Sequence, residues 1–163
     1  MKGYIPGTHI LWSEYACKHC GELPPNFYNE DREISIEIAV LFNIFEQVRK
    51  MYGHPISVTR GYSCLEYQEK IYLNKIKAIY GDLSEVFRII RDPNITPFSV
   101  HSFGLALDIQ PSKRDIPDVV KLLKAAEPLP RIGWKGYQSH IHFDLGFLIV
   151  PSYSKHLRRG AEW

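Results

Sequence analysis

The sequence predicts an α+β fold in which helices flank a small, largely antiparallel β-sheet. Two periodicities carry this prediction, because apolar residues recur at helical spacing in the longer segments and at every second position in several short ones. The helical and extended segments do not follow one another as regular β-α-β units, so a mainly parallel sheet is not expected. The length of 163 residues fits one ordinary domain, and we expect residues 1–163 to form a single unit.

Three parts of the chain are predicted to be helical. The first, residues 34–52, carries apolar residues at helical spacing and stops at Gly53, a residue that commonly ends helices. The second covers residues 66–80 and is predicted to continue over residues 82–90. Residues 116–126 return to helical spacing. The first of these helices is amphipathic and is expected to pack its apolar side on the core.

Four short segments are predicted to be strands, and the chain leading to Pro97 is predicted to be a loop. The strands are residues 56–60, 105–109, 131–134 and 140–145. The second reads LALDI and the fourth reads HIHFDL, so both alternate as a half-buried strand does. Polar side chains of these two strands are therefore expected to leave the sheet on the face opposite the core.

Three metal ligands are predicted from this alternation. Asp108 and His142 project from the same face if both strands place their apolar side chains on the core. His101 lies just before Gly104, which tolerates the backbone turn that brings the imidazole back over the strand. Two histidines and one aspartate match a catalytic zinc site, where water takes the fourth position at about 2 Å. The alternative is that each is a capping or solvated surface group.

Several motifs resemble a known enzyme family. Residues 99–108 read SVHSFGLALD, and HIH follows at residues 140–142. This pattern resembles the zinc D-alanyl-D-alanine carboxypeptidases and phage endolysin peptidases, which share a fold with lysostaphin-type enzymes and the Hedgehog signalling domain. LWSEYAC at residues 11–17, TRGYS at residues 59–63 and RRGAEW at residues 158–163 also resemble family segments. The resemblance therefore extends over most of the chain.

The resemblance implies a function and a set of roles. The protein would hydrolyse peptide bonds in the stem peptides or cross-bridges of bacterial peptidoglycan, with one catalytic Zn²⁺ held by His101, Asp108 and His142. His140 would stabilise the reaction intermediate or donate a proton, and its alternative is a supporting or solvated histidine. Ser99 would lie near the substrate, and its alternative is a loop hydroxyl bonded to the backbone.

The chain departs from the family pattern at two positions. The family's general base is a carboxylate three residues before the last histidine ligand, where this chain has Ser139. Asp144 is the nearest replacement in sequence, unless it is a salt-bridge partner and activity is weak or lost. The family arginine that binds the substrate carboxylate follows Gly-Tyr, where this chain has Ser63. Arg60 is the replacement expected here, with a surface ion pair as the alternative.

The three cysteines allow several readings. Cys17 and Cys20 have the spacing of a zinc knuckle, and Cys64 is the obvious third ligand. A local disulfide and simple buried thiols are the alternatives. An odd number of cysteines argues against a fully paired disulfide framework.

Charge and composition bear on partners and location. The formal net charge is +2, from 20 basic and 18 acidic residues, which is too small and dispersed for a nucleic-acid binder. The first twelve residues lack the unbroken apolar stretch of a signal peptide, and no run is long enough to span a membrane. We therefore expect a monomer that is a phage lysin, a virion-borne wall enzyme, or a cytoplasmic protein until its release to the wall.

Two other functions remain open from the sequence. A domain with zinc but without catalysis would bind the cell wall or another protein, and Ser139 favours this reading. A nucleic-acid or protein-binding domain would instead hold its metal on Cys17 and Cys20.

Overall fold

The computed structural model describes residues 2–80, 99–137, 139–149 and 159–163, with the backbone alone for residues 75–80. The helices are α1 (Trp12–Tyr15), α2 (Ile36–Tyr52), α3 (Leu65–Tyr80) and α4 (Ile116–Lys124). The strands are β1 (Ser57–Arg60), β2 (Ala106–Gln110), β3 (Arg131–Gly133) and β4 (Ile141–Asp144), and three short 3₁₀-helices lie at Val100–Phe103, Lys113–Asp115 and Gly146–Leu148. The predicted α+β class is confirmed.

The four strands form one antiparallel sheet in the order β1-β2-β4-β3. At its middle, Asp108 of β2 pairs with Arg60 of β1 on one side and with His142 of β4 on the other. Gly133 of β3 pairs with His142. Directly opposed residues of neighbouring strands project from the same face of a sheet. The register therefore sets an arginine, an aspartate and a histidine side by side in one row.

Helix α2 supplies much of the core. Its buried side chains recur at helical spacing: Ile38, Leu41, Phe42, Ile44, Phe45 and Val48. The helix ends at Gly53, whose φ of 75° is left-handed, and Gly53 N–H donates to the carbonyl of Arg49. It packs against α4, and both belong to one cluster of buried residues that also includes Leu107, Ile109, Ile141 and Phe143. That the chain is a single domain stays a prediction.

Some predicted boundaries and exposures differ from the structure. Helix α2 begins two residues later than predicted, because Ile34 forms an isolated β-bridge with Tyr28. Strands β2 and β4 were both predicted to be half-buried, and that was wrong: residues 106–109 of β2 and all four residues of β4 are buried. The second face of β2 carries Asp108, which lines the cleft described below. The predicted helix at residues 82–90 and the loop leading to Pro97 lie outside the described residues.

No helix in the described part of the chain combines the length and apolar character needed to cross a membrane.

Candidate metal centre

His101 is fixed by the short helix that precedes β2. The 3₁₀-helix Val100–Phe103 ends at Gly104, whose φ of 70° turns the chain into the strand. The imidazole is 1% exposed, and its Nδ1 lies 2.6 Å from the carbonyl oxygen of Gly61. A carbonyl oxygen only accepts, so Nδ1 carries the proton and donates it. The other ring nitrogen, Nε2, therefore presents a lone pair to the interior of the site.

His142 is oriented in the same manner from β4. Its Nε2 lies 2.8 Å from Oδ2 of Asp144, two residues along the same strand. Because the carboxylate accepts this hydrogen bond, Nε2 carries the proton. Nδ1 faces the opposite way, toward Asp108 and His101. Each histidine thus has one nitrogen committed to an outer acceptor and the other aimed at a common centre.

Three potential ligand atoms meet at that centre. His101 Nε2 lies 3.2 Å from Asp108 Oδ1 and 3.2 Å from His142 Nδ1, and His142 Nδ1 lies 2.8 Å from Asp108 Oδ1. Ligands about 2 Å from a tetrahedral zinc ion stand roughly 3.3 Å from one another, close to these separations. His101, Asp108 and His142 are all buried and together can hold a metal ion. The structure therefore brings together the three ligands predicted from sequence.

The electrostatics of the centre favour a bound cation. Burial favours an uncharged Asp108, but the hydrogen bond from His142 and the charge of that ring outweigh this, so the carboxyl pKa lies well below its usual range. Burial lowers the pKa of His101, which keeps that ring neutral. Burial also opposes charging of His142, but hydrogen bonds with Asp108 and Asp144 raise its pKa to about 9. Without a metal, the centre therefore holds a proton on His142.

Arg60 contacts the centre from β1. Its Nε donates to Oδ2 of Asp108 at 2.8 Å, while Oδ1 of the same carboxylate faces the histidines. The Arg60 side chain is 25% exposed and lines the cleft. Arg60 thus orients the aspartate and is accessible from the cleft. Its predicted contact with a substrate carboxylate stays a prediction.

Asp144 is held from several sides. Besides His142, it accepts the backbone N–H of Gly146 at 2.8 Å, and Arg131 Nη1 lies 3.3 Å from its Oδ1. The residue is 1% exposed. Both oxygens are therefore engaged by protein groups on the far side of His142 from the centre. These contacts favour a role in positioning His142 over the predicted role as general base.

One cleft of about 570 Å³ contains every residue that the sequence indicated for the peptidase site. They are Arg60, Ser99, His101, Asp108, His140, His142 and Asp144. Ser99 and His140 are half-buried, and the His140 ring lies 4.3 Å from that of Tyr137. Burial lowers the pKa of His140, and the charge of Arg60 acts in the same direction. His140 is therefore a neutral imidazole at neutral pH, able to accept a proton.

Sequence reasoning missed other residues of the cleft wall. Gln68 and Tyr72 of α3 line it, as does Arg131. Burial raises the pKa of Tyr72, so its phenol stays protonated. Arg131 is the first residue of the buried strand β3, whose other residues are apolar. An arginine in such a strand was a usable signal, because a buried arginine normally pairs with an acidic residue. No such signal marked Tyr72.

Trp163 packs beside the metal centre. Its ring lies 5.7 Å from that of His142, and the Arg131 guanidinium carbon lies 4.8 Å from its centre. The backbone N–H of Trp163 donates to the carbonyl of Ile132 at 3.0 Å, which attaches the segment to β3. Gly133 makes room for the indole, because a Cβ there would lie 2.7 Å from it. The tryptophan thus anchors residues 159–163 against the sheet.

Comparison with known proteins returned no matching family model, no matching curated protein and no matching solved structure. The peptidase resemblance stays a prediction that rests on the motifs alone.

Proposed function

We propose that this protein is a zinc metallopeptidase that hydrolyses peptide bonds of bacterial peptidoglycan. The observation that carries the proposal is the convergence of three lone-pair atoms, from His101, Asp108 and His142, on the floor of an open cleft. The peptidoglycan substrate and the Hedgehog/DD-peptidase-like fold come from the motif resemblance. The α+β class and the antiparallel sheet are consistent with that fold.

The donor set suits zinc. Imidazole nitrogens and a carboxylate oxygen are ligands that zinc prefers, and three protein ligands leave a fourth position for water or substrate. When bound there, zinc would polarise the scissile carbonyl and lower the pKa of a bound water to about 7. Gly61 and Asp144 support this arrangement, because each fixes the tautomer in which a histidine presents its free nitrogen inward.

His140 is the residue best suited to move the proton in this cleft. Among the described lining residues the carboxylates are Asp108 and Asp144, and both are engaged by neighbouring side chains. A neutral His140 accepts a proton from the attacking water and donates it to the amine nitrogen as the peptide bond breaks. Arg60, which lines the cleft, offers its guanidinium to a carboxylate of the stem peptide. Ser99 offers a hydroxyl to the peptide backbone.

A second candidate function is a wall-binding or interaction module that keeps zinc but lacks catalysis. Ser139 occupies the position of the family's catalytic carboxylate, and its Oγ lies 3.5 Å from Nδ1 of His140. The complete engagement of Asp144 favours this candidate, because that carboxylate is unavailable to a water molecule.

The deciding experiment is digestion of purified peptidoglycan by the zinc-loaded protein. New amino and carboxyl termini are expected in the products, and their sequence identifies the bond. His142→Ala should abolish cleavage and metal binding at this centre, whereas His140→Ala should keep the metal and lose at least 100-fold in rate. His54→Ala, which removes an exposed imidazole elsewhere, is the matched control. Zinc at the centre without cleavage would establish the inactive module.

A further inference from the structure

A second cluster of soft ligands lies apart from the cleft. Cys17 and Cys20 lie in the turn after α1, and Cys64 lies between β1 and α3. The three Sγ atoms all lie within 4.8 Å of one another. Cys17 is buried, Cys64 is intermediate and Cys20 is exposed. All three cysteines of the chain therefore lie together, although Cys17 and Cys64 are 47 positions apart in sequence.

Backbone amides are directed at the innermost sulfur. The N–H of Cys64 donates to Cys17 Sγ at 3.3 Å, and Gly21 N–H donates to the Cys17 carbonyl at 2.8 Å, closing the turn that carries Cys20. Burial favours the thiol form of Cys17, but the amides of Cys64, Cys20 and His19 outweigh it and lower the pKa. Amides that converge on a sulfur stabilise a thiolate, the form in which cysteine binds metals.

Three sulfurs in close contact are more than a disulfide requires. A disulfide would join two of them and leave the third as a free thiol beside it. Burial raises the pKa of Cys64 to about 11, and the neighbouring sulfurs of Cys17 and Cys20 add to this effect. Neighbouring thiolates repel one another, which opposes loss of the Cys64 proton. A divalent cation offsets this repulsion and lets all three sulfurs be thiolates at once.

We propose that Cys17, Cys20 and Cys64 bind a second zinc ion, whose role is structural. Thiolates about 2.3 Å from a tetrahedral zinc ion stand roughly 3.8 Å apart, within the spacing of this cluster. Among the described residues no fourth histidine, cysteine or carboxylate joins the group, and the cluster is open to solvent on the side of the exposed Cys20. The site does not depend on the proposed peptidase function.

The structural role follows from what the cysteines connect. The segment from Gly61 to Cys64 lies between α1 and His101: Tyr62 N–H donates to the carbonyl of Tyr15 at 2.7 Å, and Ser63 N–H donates to that of His101 at 3.1 Å. The carbonyl of Gly61 accepts from the His101 ring. An ion on the cysteines therefore fixes the loop that orients a ligand of the first centre.

Cobalt substitution tests the proposal. Cobalt(II) bound to thiolates absorbs strongly by charge transfer from sulfur, and a centre of two histidines and an aspartate does not. With two equivalents of cobalt, the wild-type protein should show this absorption. Cys20→Ser, at an exposed position, should lose it while keeping its fold by circular dichroism, and His101→Ala should keep it. His19→Ala should also keep it, since that ring stacks on Tyr67 instead.

Metal counting and thiol labelling complete the test. The protein purified with zinc should contain one ion more per chain than Cys20→Ser does. All three cysteines should react with an alkylating reagent once the protein is unfolded with a chelator and without reductant. Absence of the sulfur-to-cobalt band in the wild type, persistence of the band in Cys20→Ser, or a disulfide found by mass spectrometry would each overturn the proposal.

Discussion

At the residue scale, the centre depends on which nitrogen of each histidine holds a proton. Gly61 and Asp144 accept hydrogen bonds from the outer nitrogens of His101 and His142. An imidazole that donated inward would offer no lone pair to a metal. The acceptors behind the rings therefore matter for metal affinity although neither belongs to the ligand set.

Asp144→Asn tests this dependence. The amide removes the negative charge that supports the Nε2–H of His142 and loses the ion pair with Arg131. We expect zinc affinity of the first centre to fall by about 10- to 100-fold, measured by competition with a chromophoric chelator. Asp118→Asn, at an exposed position paired with Lys121, should leave it unchanged. An unchanged affinity in Asp144→Asn would show that the carboxylate has no part in metal binding.

At the element scale, alternation in the sequence predicted the faces of β2 and β4 but not their register. Asp108 meets His142 because the two strands pair at those residues, and a shift by one residue would have separated them. Arg60 meets Asp108 through an irregularity in β1 after Val58. Bulges of this kind have no dependable signal in a single sequence. The ligand pair could thus be predicted, whereas the arginine beside it could not be placed.

The 3₁₀-helix Val100–Phe103 was also beyond sequence reasoning, because four residues are too few to show a period. Gly104 was the available clue, and its proposed turn toward the strand is confirmed by its φ of 70°. A side chain at this position would also clash with its neighbours, since a Cβ would lie 2.6 Å from both Pro24 Cγ and the Tyr15 hydroxyl oxygen. That hydroxyl donates to the Gly104 carbonyl at 2.7 Å.

Gly104→Ala is therefore expected to disturb both stability and the metal centre. Gly53→Ala is the matched control, because Gly53 has a φ of 75° but open space around its Cβ position. Strain alone should lower the free energy of unfolding by about 1–2 kcal/mol in the control. The clash should make the loss in Gly104→Ala larger by about 1–3 kcal/mol, and zinc affinity should fall because His101 shifts. Equal losses in urea unfolding would mean that Tyr15 and Pro24 move aside freely.

At the scale of the whole molecule, the centre joins parts of the chain that are far apart in sequence. Gly61 and His101 are separated by 40 positions, and Trp163 packs beside His142. Such contacts depend on the assembled core and have no periodicity that a sequence could reveal. The order of apolar residues along the chain nevertheless predicted the overall class correctly, because helical and alternating segments each keep their period over several residues.

Metal and protons compete for this assembled centre, and the competition predicts how stability varies with pH. In the metal-free protein the pKa of His142 is raised to about 9, from an ordinary value of 6.5. Its contribution to stability is therefore complete below about pH 6.5 and is lost as the pH rises through 9. The lowered pKa of Asp108 acts only in acid, so it does not vary in this window.

The expected result is that the stability advantage of metal-free wild-type protein over His142→Ala shrinks between pH 6.5 and pH 9.5. Taking the difference between the two proteins cancels the pH dependence of groups that both contain, including the Cys17 thiol. With zinc, the stability advantage of the wild type should instead grow as the pH rises. Zinc displaces the His142 proton when it binds, so it binds more tightly where that proton is easier to remove. Urea unfolding at several pH values, with a chelator and with two equivalents of zinc, measures both effects. Parallel pH profiles for wild type and variant would show that Nδ1 of His142 carries no proton in the metal-free centre, so that zinc entering there displaces none.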